Sequence, residues 1–129
     1  MAHKIGGKGR RRKGQVGERE FFSLLNKYLP ARLHMARQLG QERDSGGDGD
    51  CEFASIEVKR QETLRILDWL KQARKSARPE QVPVVAYRQN GQDWSVLVDM
   101  DPVQFAVWLR YRRNLMETEE NLRTQHGSD

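Results

Sequence analysis

The stretch Ser55-Ile56-Glu57-Val58-Lys59 alternates polar and apolar side chains, and that period of two is the signature of a β-strand with one dry and one wet face. Ile56 and Val58 point one way; Ser55, Glu57 and Lys59 point the other. The residues just before, Asp50 to Phe53, fit the preceding strand of a hairpin. With Phe53 and Ala54 as the turn, Glu52 faces Ser55, Cys51 faces Ile56 and Asp50 faces Glu57. Side chains directly opposed in a sheet lie about 4.5–5.5 Å apart at Cβ. Two carboxylates that close repel unless something lies between them. A divalent cation answers the need, because hard cations take carboxylate oxygens. Lys59 stands beside the same place, two residues along on the same face. Acids and a lysine converging in this way can hold a metal, orient a water and offset phosphate charge. An acid two residues before a lysine is common on any solvated strand, so the motif draws its weight from the rest of the chain.

The first support is charge. The chain carries 23 Lys and Arg against 18 Asp and Glu, a net charge of +5. The excess is uneven: residues 1–17 hold six basic residues, five glycines and no acid. This reads as a flexible basic arm over 1–16, with Arg10, Arg11, Arg12 and Lys13 at its centre, suited to a polyanion. Nucleic acid is the expected partner, since phosphate neutralisation dominates such binding. At 129 residues, with 36% apolar and 32% charged, the chain suits one domain with a modest core. No apolar run approaches the roughly 20 residues that span a bilayer. The N-terminus lacks the apolar segment of a signal peptide. A single cysteine, Cys51, excludes an internal disulfide and suits a reducing compartment, so a cytoplasmic protein is expected. His3, His34 and His126 show no metal-ligand spacing.

In chain order, Phe21, Leu24, Leu25 and Tyr28 recur at helical spacing from Glu18 until Leu29-Pro30 stops them. Acids in that first turn complement the helix dipole. Ala31 to Gln38 reads as a strand, with Leu33, Met35 and Arg37 on alternate positions, and residues 40–49 as a polar loop. After the hairpin, Thr63 can cap a helix with apolar positions Leu64, Leu67, Leu70 and Ala77. Its other face carries Arg65, Lys71, Arg74, Lys75 and Arg78 against one acid, Asp68. Pro79 closes it. Val82 to Tyr87 is nearly all apolar and predicts a buried strand. Asn90-Gly91 predicts a hairpin turn, with Trp94, Val96 and Val98 alternating on the return strand. Asp101 caps a last helix and Pro102 begins it; Phe105, Trp108, Leu109 and Leu115 form its stripe. Frayed helix or disorder is expected beyond Met116. Trp69, Trp94 and Trp108 read as core or interface residues. The order αβββαββα, about five strands around one central helix, predicts a mixed α/β (α+β-like) sheet with helices packed on it. Divisions are expected at 16/17 and 112/113, leaving 113–129 as helix end and polar tail.

That order, with an acid in the first helix and Asp…Glu-x-Lys on a hairpin, resembles the PD-(D/E)xK nuclease superfamily, and within it the small archaeal and phage-type Holliday junction resolvases. Three stretches carry the likeness: Lys13-Gly14-Gln15-Val16-Gly17-Glu18-Arg19-Glu20; Asp50 with Ile56-Glu57-Val58-Lys59; and Val82-Pro83-Val84-Val85-Ala86-Tyr87 followed by a turn and Trp94. Arg60-Gln61-Glu62 directly after the lysine is also similar to phage members. The likeness covers about residues 13–99.

The resemblance implies a restriction-endonuclease-like core, a nuclease domain over 17–112, and a Mg²⁺-dependent DNA endonuclease, Mn²⁺ substituting, that acts on branched DNA in recombination. Asp50 and Glu57 would be metal ligands, with the Val58 backbone carbonyl as a third and Glu18 reaching in from the first helix, directly or through water. Lys59 would orient the attacking water. Asp48 is the alternative to Asp50, because the Asp50-to-Glu57 spacing is short for the family and Gly49 stands where a proline is usual. Arg19, Ser45, Arg60 and Gln72 would join the arm and the basic helix (Lys71, Arg74 and Lys75 among its residues) on DNA. A cutter that nicks two strands symmetrically is expected to be a homodimer, in a phage-infected or bacterial cell. Two other functions stay open: a non-catalytic nucleic-acid-binding protein, and a nuclease of this fold acting on flaps or single strands.

Overall fold

A computed structural model describes the backbone of residues 7–37 and 47–126 and the side chains of 16–35 and 47–126. The chain divides into two units, Met1–Asp99 and Met100–Asp129. This division falls ahead of the last helices.

The first unit is built on a mixed five-stranded sheet in the order β1-β2-β3-β4-β5. Its strands are β1 (Ala36–Arg37), β2 (Gly49–Asp50), β3 (Ala54–Arg60), β4 (Val82–Arg88) and β5 (Ser95–Val98). Only β3 and β4 run parallel, and the helix α2 (Ile66–Ser76) makes the crossover that a parallel pair needs. Helix α1 (Gly7–Asn26) covers the opposite face. There Phe21 and Phe22 pack on Ile56, Val58, Val84 and Ala86. On the α2 face, Trp69 and Ala73 meet Val85. The mixed α/β sheet is thus the one the element order predicts.

The covering of both faces corrects the expectation of a wet side on β3. Ser55 and Glu57 are as buried as Ile56 and Val58, because α2 closes the face that period-two reasoning assigns to solvent.

Other elements shift for local reasons. Helix α1 starts at Gly7 instead of Glu18, so residues 7–16, read as a flexible arm, have helical backbone. Lys, Arg and Gln are good helix formers, and no proline intervenes before Pro30. Gly17 is buried, and a Cβ there would lie 3.2 Å from Arg60 Cβ, a tight fit between α1 and β3. Phe22, not Leu24, completes the buried stripe; Leu24 is exposed. Gln38 lies outside the described residues, and over the rest of the predicted strand Ala31–Gln38 the structure has a 3₁₀ turn (Ala31–Leu33) ahead of β1. Asn26 is the cause: its side chain donates to the Met35 carbonyl at 3.0 Å and accepts the Met35 N–H at 2.7 Å, tying the segment to the end of α1.

Helix α2 begins at Ile66, behind Arg65, and makes no side-chain cap with Thr63. Its buried stripe runs through Trp69 and Ala73, while Leu67 is 81% exposed. Trp69 is core, as predicted. The Asn90-Gly91 turn is present, with Gln92 N–H donating to the Gln89 carbonyl at 3.1 Å. Gly91 has φ +75° and Asn90 does not enter the left-handed region, which is the type II pattern. The connection therefore runs over 89–94 rather than as a two-residue loop.

The second unit holds α3 (Pro102–Arg110) and α4 (Arg112–His126). Asp101 caps α3 in a reciprocal capping box with Gln104, and Pro102 opens the helix, as expected. Phe105 stacks on Trp108 with centroids 5.8 Å apart, and Arg112 lies 5.0 Å from the Trp108 ring. The residues beyond Met116, expected to fray, continue as α4 to His126, with Arg112 and Glu119 paired at 2.8 Å. Among the described residues no helix is long and apolar enough to cross a membrane.

The tight contact of α2 with the sheet is testable. Ala73 is fully buried against Val85, so Ala73→Leu overpacks that interface and should lower stability by about 1–3 kcal/mol, read as a lower urea midpoint with unchanged m-value.

Candidate active site

The register of β2 against β3 decides which acids meet. Gly49 pairs with Ile56 and Asp50 with Ser55. The turn is Glu52-Phe53, with Cys51 N–H donating to the Ala54 carbonyl at 3.0 Å. This is one residue earlier than the Phe53-Ala54 turn expected from the sequence, and it slides the pairing by two. The ladder ends at Gly49: the Asp48 N–H donates at 3.0 Å to the carbonyl of Ile56, which is already the partner of Gly49, a bulge-like contact just outside β2. Asp48 is nonetheless the acid whose carboxylate lies beside Glu57 and acts on it, and Asp50 is not.

Asp50 is placed elsewhere. Its carboxylate accepts from Gln81 Nε2 at 3.1 Å and lies 3.9 Å from Arg78. Gln81 is itself buried, donates to the Cys51 carbonyl and accepts the Arg78 N–H. Asp50 thus joins the hairpin turn to the loop before β4.

Asp48 and Glu57 each meet a neutral donor. Asp48 Oδ2 accepts the Val58 backbone N–H at 2.8 Å. Glu57 Oε1 accepts from the Ser76 hydroxyl, on the last residue of α2, at 3.3 Å. Glu57 is only 4% exposed. Burial, then the Asp48 carboxylate, push the Glu57 carboxyl up from 4.5 to about 7, against the opposing pull of Lys59 and Ser76. Lys59 lies two residues on, on the same face of β3. An oxygen-rich pair under mutual repulsion, with a lysine beside it, is a donor set of the kind a hard divalent cation takes.

Gly47 makes the approach possible. A Cβ there would lie 2.8 Å from the Ile56 carbonyl oxygen and 2.9 Å from Ser55 Oγ, closer than real contacts allow. Only glycine lets the chain run against β3 at this point and deliver Asp48. Gly47 and Ser76 are the site residues that sequence reasoning missed. The signal for Gly47 was a glycine directly before an acid; a serine ending a basic helix is a much weaker one.

The remaining candidates are dispersed. Glu18 is buried on α1, one turn before Phe21 and Phe22, which pack on the Ile56 and Val58 face of β3; Glu57 and Lys59 project from the other face. Among the described residues no three acidic, His or Cys side chains are arranged to hold a metal ion, so Glu18 does not join Asp48 and Glu57 here. Arg60 lies 3.8 Å from Glu20, which also binds Arg88 and accepts from Trp94 Nε1. Arg74 makes two hydrogen bonds to Asp99, at 2.6 and 3.1 Å, and this pairing holds the Asp99 carboxyl below its usual range. Arg60 and Arg74 thus serve ion pairs within the fold. Arg19, Lys71, Gln72 and Lys75 are exposed. The side chains of Arg10, Arg11, Arg12 and Lys13, and the whole of Ser45, lie outside the described residues. His34 holds the Leu29 carbonyl at 2.9 Å.

Compared with protein-family models and with curated proteins, the chain finds no match.

Two outcomes follow from this geometry. The folded metal-free chain holds the Glu57 proton more tightly than the unfolded chain. Its stability should therefore fall as pH rises from 4.5 to about 7 and level off above that. Glu57→Gln removes the repelling charge and keeps a hydrogen-bonding group. It should match wild type near pH 4 and exceed it above pH 7 by on the order of 1–3 kcal/mol, measured by urea unfolding in EDTA. Gly47→Ala should instead destabilise at every pH, by about 1–3 kcal/mol, in the same experiment.

Proposed function

We propose that the protein is a metal-dependent phosphodiester hydrolase acting on DNA. The observation that carries this reading is the placement of Asp48, just before β2, beside the buried Glu57 of β3, with Lys59 alongside. A solvated or purely structural pair of acids is not usually brought together at the cost of a raised carboxyl pKa; a site that receives a cation is.

In this reading Asp48 and Glu57 hold a divalent cation, Mg²⁺ in the first instance, with the Val58 carbonyl as a further oxygen. Bound there, such an ion supplies Lewis-acid polarisation of a phosphoryl oxygen and a more acidic water. The chain's own groups do the rest. Lys59 positions the nucleophilic water and offsets charge on the non-bridging oxygens as the new P–O bond forms and the P–O bond to the leaving sugar oxygen breaks, the water giving up a proton to solvent and the leaving oxygen taking one from it. Exposed Lys71 and Lys75 lie on α2, the helix whose last residue touches Glu57, where they can engage backbone phosphates without reading sequence. The net charge of +5 favours the same partner. The resemblance to Holliday junction resolvases makes branched DNA the preferred substrate and a homodimer the preferred state.

The test is cleavage of a labelled four-way junction, alongside flap, linear duplex and single-stranded DNA, in Mg²⁺ and in EDTA. Wild type should nick the junction only in Mg²⁺. Glu57→Ala and Asp48→Asn should each lose at least roughly a hundredfold in rate, whereas Asp50→Asn should keep most of it. Equal binding of DNA in Mg²⁺ and EDTA with no cut on any substrate would leave a nucleic-acid-binding protein with structural acids.

A further inference from the structure

We propose that Ser76 is a positioning residue for the candidate metal site: its hydroxyl orients the Glu57 carboxylate and so sets the affinity for a divalent cation. The inference rests on the metal-dependent reading above.

Ser76 has little to offer its own helix. Serine is a weaker helix former than Ala, Leu or Lys, and its capping strength is at N-termini, whereas Ser76 is the last residue of α2. A late-helix serine commonly turns its hydroxyl back to the carbonyl four residues earlier. Here the hydroxyl reaches across to Glu57 Oε1 at 3.3 Å. The chain is shaped for that reach. Ala73, one turn earlier on the same side of α2, is fully buried against Val85. Val85 is the register partner of Glu57 on β4. The small Ala73 brings the helix end close to the sheet, so a side chain as short as serine spans the gap. Ala77 then turns to extended backbone, φ −79° and ψ 137°, and ends the helix at this point.

The choice of donor matters. An arginine in this position would neutralise Glu57 and compete with a cation, as Arg74 neutralises Asp99. A hydroxyl orients the carboxylate and leaves its charge available. The two acids are then aligned from opposite sides, Asp48 by the Val58 amide and Glu57 by the Ser76 hydroxyl. Only the second of these is a side-chain contact that substitution can remove.

The experiment is Mn²⁺ binding to the full chain without DNA, followed by calorimetry and by the loss of the free-ion electron paramagnetic resonance signal. Wild type, Ser76→Ala, Ser76→Thr and Glu57→Ala are compared, each with a urea melt. Ser76→Ala should weaken Mn²⁺ binding about ten- to a hundredfold with its urea midpoint close to wild type. Ser76→Thr, which keeps the hydroxyl, should restore the affinity, and Glu57→Ala should abolish binding. Equal affinity of Ser76→Ala and wild type, with Glu57→Ala still inactive in binding, overturns the role of Ser76 and leaves the metal site standing. A wild type that binds no Mn²⁺ overturns the metal reading itself and the inference with it.

Discussion

Two carboxylates brought side by side, with a helix closing over one of them, repel each other in a medium that screens them poorly. A fold reaches that arrangement only if its neighbours hold both groups in place. In this protein the Val58 amide holds Asp48 and the Ser76 hydroxyl holds Glu57. The placement of Asp48 depends in turn on Gly47, because any side chain there would strike the Ile56 carbonyl and Ser55. The β2–β3 register, the reach of α2 and the glycine are parts of one requirement.

The other acids of the first unit are treated differently. Glu20 gathers Arg60, Arg88 and Trp94, linking α1 to β3, β4 and the approach to β5. Asp50 faces Arg78 and Gln81, and Asp99 takes a two-pronged contact from Arg74. Each of these is balanced by a guanidinium and stitches elements together. Glu57 instead meets the Ser76 hydroxyl and the Asp48 carboxylate, with Lys59 alongside.

Much of the architecture was legible because its signals are local. The Asp101 cap, Pro102 at the first helical position and Gly91 in the turn follow from backbone chemistry that does not depend on distant neighbours. The mixed sheet follows from strands on either side of one helix-length segment, while the parallel pairing of β3 with β4 is read from the structure. The misses came where contacts between elements outweigh local preference. Asn26 captures the backbone at Met35, within the predicted strand. Leu67 belongs to the expected apolar stripe but lies exposed, because Trp69 is the larger group and turns α2 to bury itself.

The candidate site divides in the same way. Alternation in Ser55–Lys59 by itself determined that Glu57 and Lys59 share a face of a strand, since side-chain direction in a strand depends only on parity. It left two acids, Asp48 and Asp50, as candidates for the place beside Glu57. Which of the two it is, and whether that face is wet or dry, only the tertiary structure decided. A turn placed one residue earlier slides the register by two, and Glu52-Phe53 carries no turn signal strong enough to settle it in advance. The burial of Glu57 comes from α2, whose docking depends on Trp69, Ala73 and Val85 meeting across the sheet, and no local pattern encodes that distance.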